Sequence, residues 1–82
     1  MHEVGIADSI LQAVRTEVAL HAPARASKVG VRVGEMSGVD PNSLSFCFEA
    51  LVKGSDLEPL ELAIEPGAAD ELKFAWLELE EP

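Results

Sequence analysis

The sequence predicts an α+β fold: a small mixed three-stranded sheet with two helices, in the order helix–strand–helix–strand–strand. Three observations carry this. Two stretches repeat their apolar residues at helical spacing. Three others alternate apolar and polar residues as half-buried strands do. No internal repeat or linker divides the 82 residues, and 48% hydrophobic residues suit one small domain spanning 1–82.

The first helix is read from Ile6, Ile10, Leu11, Val14 and Val18, with Asp8, Gln12, Arg15 and Glu17 between them. It is expected from Gly5, as N-cap, to His21. Pro23 in "HAPARAS" ends the pattern. "KVGVRVGEM" follows as a strand, with Val29, Val31 and Val33 on one face and Gly30, Arg32 and Gly34 on the other. In "SGVDPNSL", Asp40 is a good N-cap and Pro41 suits the first helical position. Leu44, Cys47, Phe48 and Leu51 form the apolar stripe of this second helix, which is expected to stop at Gly54. "PLELAIEP" alternates again, with Leu60, Leu62 and Ile64 on one face. "PGAAD" is a tight turn, and "ELKFAWLELEEP" is the last strand.

That last strand changes phase. Leu72, Phe74 and Trp76 share one parity, Leu77 and Leu79 the other. A bulge between Phe74 and Leu77 would restore a single apolar face and push Trp76 outward; the alternative is a strand buried on both sides. Trp76 is then either an exposed contact or a cover for the second face of the sheet. The strand–helix–strand unit fits a crossover between parallel strands. The last two strands read as a hairpin.

The formal net charge is −9, and from Asp56 onward there are nine acidic residues against the single Lys73. Nucleic acid is excluded as a partner, because phosphate contacts need clustered Lys and Arg. An anionic membrane surface is disfavoured for the same reason, and no apolar run reaches bilayer-spanning length. The lone cysteine, Cys47, offers no internal disulfide and is expected in the core; with no secretory pattern at the start, the expected location is cytoplasmic.

The chemistry sits in the opening "MHE". The α-amine of Met1, the amide nitrogen and imidazole of His2, and the amide nitrogen of Glu3 can close adjoining chelate rings around one ion. A planar set of nitrogens suits Ni(II) or Cu(II), whereas zinc prefers a tetrahedron. Glu3 adds an oxygen nearby. The site needs a retained Met1 with a free amine. His21 lies near the other end of the first helix, roughly 25 Å from His2 at 1.5 Å per residue, and suits the helix dipole there. No nucleophile–base pair or phosphate-binding loop is legible, so no enzyme activity is expected.

"MHEVGIADSIL", "KVGVRVGEMSGVDPNSLSFCFEALVKG" and "LELAIEP", in this order and spacing, resemble the HypA/HybF family of hydrogenase nickel-incorporation proteins. The resemblance implies a nickel metallochaperone for NiFe hydrogenase maturation, with a metal site at Met1, His2 and Glu3. An acidic residue at the position of Asp40 is implicated in some members. The partners implied are the hydrogenase large subunit precursor and a nickel-handling GTPase. The family normally carries two C-x-x-C pairs, holding a structural zinc, between the last two strands. Here "IEPGAADELKF" joins those strands directly, so Ni(II) is the expected metal and no structural zinc is expected. So short a connection could favour a homodimer that exchanges its last strand. The competing reading is a scaffold that binds a precursor or GTPase without delivering metal, with Trp76 as its contact.

Overall fold

The computed structural model describes residues 2–82, so the Met1 part of the proposed chelate lies outside the described residues. Helix α1 spans Glu3–Leu20, strand β1 Arg25–Gly34, helix α2 Pro41–Val52, strand β2 Glu61–Gly67 and strand β3 Leu72–Glu80. This is the expected α+β order. No helix among the described residues is long and apolar enough to cross a membrane.

α1 starts two residues earlier than Gly5, with His2 in the N-cap position. An acidic residue in the first turn favours this early start, and Glu3 supplies it. Ala7, Ile10, Leu11 and Val14 are buried along one side of the helix. α2 begins as its sequence specifies, with Asp40 capping and Pro41 in the first turn. Its stripe is rotated from the expected one. Leu44, Phe48 and Val52 are buried at i, i+4 and i+8, while Cys47 only flanks the core and Leu51 lies at the surface. Choosing between Leu51 and Val52 depends on where α1 and β2 stand around α2, which helical spacing alone does not give.

The sheet order is β2–β1–β3, with β1 parallel to β2 and antiparallel to β3. The parallel crossover is as expected, but β2 and β3 do not form a hairpin. They flank β1 on opposite sides. Charge supplies a physical reason. In a hairpin the Glu-rich β2 and β3 would lie side by side, and facing like charges destabilise a sheet. In the observed order the basic residues of β1 stand between them: Lys28 pairs with Glu61 and Glu78, Arg32 with Glu65, and Arg25 with Glu80.

The chain reaches β3 by crossing over the end of β1. Gly34 N donates to Glu71 O at 2.8 Å and Met36 N to Ala69 O at 2.9 Å. The crossing is so close that a Cβ on Gly34 would lie 2.1 Å from the Ala69 carbonyl oxygen, so only glycine fits there. β1 also starts earlier than its valines suggest, because the end of β3 extends the pairing to Arg25 and Ala26.

Both helices pack on the sheet face that carries Val29, Val31 and Val33, all buried. The bulge expected in β3 is present: Val31 pairs with Phe74 but Gly30 with Trp76, leaving Ala75 as the extra residue. Phe74 and Leu77 therefore both join the core, and Trp76 turns to the other face. There its indole lies on Gly30, where a Cβ would come within 2.1 Å of the ring. The indole Nε1–H donates to Glu65 Oε2 at 2.8 Å. Trp76 is thus a half-buried cover for the second face. The scaffold reading loses the exposed Trp76 contact it relied on.

Candidate metal centre at the start of the chain

The lengths of α1 and β1 decide what surrounds the amino terminus. The 18 residues of α1 span about 27 Å and the ten of β1 about 33 Å. A strand that reverses direction after the helix therefore returns the chain to the level where the helix began. The loop after β1 then delivers the start of α2 beside the start of α1.

Glu3 and Asp40 meet there, although 37 residues apart in sequence. Glu3 Oε2 accepts a hydrogen bond from the Asp40 backbone N–H at 3.1 Å. This bond, foremost, holds the Glu3 carboxyl below the usual carboxylate range, with its own backbone N–H adding to the effect. Asp40 turns its own carboxylate into α2. Oδ1 accepts from Asn42 N at 3.0 Å, and Oδ2 from Ser43 Oγ at 3.1 Å. The Glu3 carboxylate thus fastens the two helix starts together, while the Asp40 carboxylate closes the start of α2.

His2 has no such engagement. It sits at the N-cap with no capping bond from its side chain. The first intrahelical bond runs from Ile6 N to His2 O at 3.1 Å. The backbone N–H of Glu3, at the first helical position, has no carbonyl to meet within the helix. While Glu3 points toward α2, His2 opens on the other side into a groove of about 430 Å³ between α1 and β3. Ile6, Ile10 and Ala13 line one wall, Leu72 and Phe74 the other, and Val31 the floor. This groove was not legible in the sequence, because only the crossing of β3 to the far side of β1 brings Leu72 and Phe74 to His2.

Among the described residues, no three His, Cys, Asp or Glu side chains are grouped to hold a metal ion. His21 is at the far end of α1, where its Nδ1 lies 2.8 Å from Glu17 O. Cys47 is half-buried on α2 against the core.

The family model for hydrogenase/urease nickel incorporation, metallochaperone, hypA matches residues 1–71. The chain belongs to the HypA family. A hydrogenase maturation factor HypA from Chlorobium limicola is 42% identical over 69 residues, covering 84% of this chain and 60% of that protein. One from a Geobacter species is 41% identical over 66 residues, covering 79% and 56%. The chain thus spans somewhat over half the length of these HypA relatives. The solution structure of the nickel metallochaperone HypA from Helicobacter pylori matches with a TM-score of 0.63 at 22% identity, covering 79% of this chain and 58% of that one. That likeness is one of fold. The matched family segment stops just before β3 begins. The matched segment contains the MHE start, Asp40 and the strand–loop–helix segment between them.

Proposed function

We propose that this chain binds Ni(II) at its amino terminus and carries it into the maturation of NiFe hydrogenase. The ligands are the Met1 amine, the His2 amide and imidazole nitrogens, and the Glu3 amide nitrogen. Together they make a planar set of the kind Ni(II) accepts. The observation that carries this reading is the open start of α1: His2 occupies the N-cap without a capping bond, and the Glu3 N–H meets no helix carbonyl. Glu3 joins the site through its carboxylate, which ties the residue beside His2 to the Asp40 backbone, and Asp40 through the cap that fixes the start of α2. Binding releases protons from the ligating nitrogens, so affinity rises with pH.

The ion is cargo, and the role of the chain is transfer to a hydrogenase large subunit precursor, assisted by a nickel-handling GTPase. The acidic surface, with net charge −9, suits a basic patch on either partner. The two helices and three strands enclose an apolar core of their own, which supports folding without a structural zinc.

The test is a Ni(II) titration of protein with a native, untagged amino terminus, beside His2→Ala. One-to-one binding with a square-planar absorption band is expected for the native protein. The variant should lose more than the roughly 10–100-fold that changes outside the ligand set cost. Equal affinity in the two proteins would remove the carrier reading.

A further inference from the structure

The two edges of the sheet are built differently. β2 is a seven-residue edge that contains Pro66, which has no N–H to give to a further strand. Were two β2 strands to pair antiparallel about Ala63, Glu61 would face Glu65 twice, like charge on like charge. Such features protect an edge against further pairing. β3 has neither the proline nor the like-charge facing. It runs nine residues without proline and pairs on one side only, with β1. α1 leaves its helix-facing side partly uncovered: Leu72 is 41% exposed, and Phe74, Leu77 and Leu79 are half-buried.

We propose that β3 is the docking edge for a second copy of this chain, two β3 strands pairing antiparallel into one six-stranded sheet. The residue pattern fixes the register. With the two-fold axis between Ala75 and Trp76, Leu72 faces Leu79 of the second copy, Lys73 faces Glu78, and Phe74 faces Leu77. Each pair occurs twice. Side-chain faces agree as well. Leu72, Phe74 and Leu77 pair within the chain with Val33, Val31 and Val29, so they look toward the helices, and Leu79 pairs with the core-packed Ala26. Lys73 and Glu78 pair with Arg32 and Lys28, on the opposite face.

The bulge makes this agreement possible. A two-fold axis normal to the sheet keeps the helices of both copies on one side, so facing residues must share a face. Without the extra Ala75, residues 72 and 79 would lie on opposite faces. The bulge reverses the phase of the second half of the strand and makes L-K-F-A-W-L-E-L self-complementary. Charge supports the same register. Lys73 lies beside the like-charged Arg32 in its own sheet, and it makes no salt bridge among the described residues. The second copy would bring it a carboxylate.

The experiment measures the mass of the full chain by sedimentation across a concentration series, for the native sequence and for Lys73→Glu. A dimer that dissociates freely on dilution is expected. Lys73→Glu sets two like-charge pairs into the seam and should raise the dissociation constant about tenfold or more. Native amide exchange gives a second readout without any mutation: β3 amides should gain protection as concentration rises, while β2 amides stay unchanged. The proposal is overturned by a monomer at every concentration, or by protection that rises on β2 instead. A dimer indifferent to Lys73→Glu would also overturn it. So would one that separates only on unfolding, which marks exchange of β3 between chains.

Discussion

The two helices of this chain begin within hydrogen-bonding distance of each other and begin in opposite ways. α2 starts closed: Asp40 accepts from Asn42 N and Ser43 Oγ, and Pro41 occupies the first turn. α1 starts open, with an N-cap histidine that makes no capping bond. One cap side chain is spent on stability, and the other makes no bond to its helix. The Glu3 bond to the Asp40 backbone N–H joins the two, so the closed start serves as a fixed support for the open one. The proposed chelate at this chain end would draw on such a support, since chain termini are otherwise the least ordered parts of a domain.

Substitutions can reverse each side of this contrast. The largest effect is expected from His2→Ser, which closes the open start. Nickel binding should fall as far as in His2→Ala. The new hydroxyl should cap α1 and raise stability by about 0.5–1 kcal/mol, read by denaturant unfolding of the metal-free protein. A variant that lost nickel and gained no stability would mean that the histidine already contributes as a cap.

Opening the closed start is the next largest. Asp40→Ala should cost about 1 kcal/mol, or roughly 4–8 °C in melting temperature for a domain of this size. Nickel affinity should drop only modestly, because the backbone N–H that holds Glu3 remains. A loss as large as that of His2→Ala would instead make the Asp40 carboxylate a ligand.

The smallest effect concerns the link between the starts. The Glu3 carboxyl is held below its ordinary value in the folded protein. Its contribution to stability is therefore complete above the ordinary carboxylate value and is lost as pH falls through the lowered one. In metal-free Glu3→Gln that pH dependence should be absent. Melting curves of the two proteins should differ at about pH 6 and converge toward about pH 3. Curves separated by a constant gap over that range would show that the Asp40 bond does not favour the charged form.

Legibility followed the range of the interactions. The cap at Asp40, the Pro41 start, the valine face of β1 and the bulge at Ala75 are local patterns, and each is present in the structure. The hairpin reading of β2 and β3 failed because it weighed sequence proximity above charge. Arg25, Lys28 and Arg32 on one strand, and glutamates on two others, were a signal that β1 belongs between them. Trp76 could not be placed from its own strand, since its partners are Gly30 on β1 and Glu65 on β2. At the candidate site, His2, Glu3 and Asp40 stood out one by one, while the groove beside His2 did not.

The sequence by itself determined the elements, their order, the capped start of α2 and the candidate donor atoms at the amino terminus. These depend on spacing, turn chemistry and the bonding of neighbouring residues. Only the tertiary structure decided that Glu3 reaches Asp40, that β3 crosses Gly34 to the far side of β1, and that Trp76 covers the open face. Each of these joins residues far apart along the chain. They are fixed by the matched lengths of α1 and β1 and by the need to separate two acidic strands with a basic one.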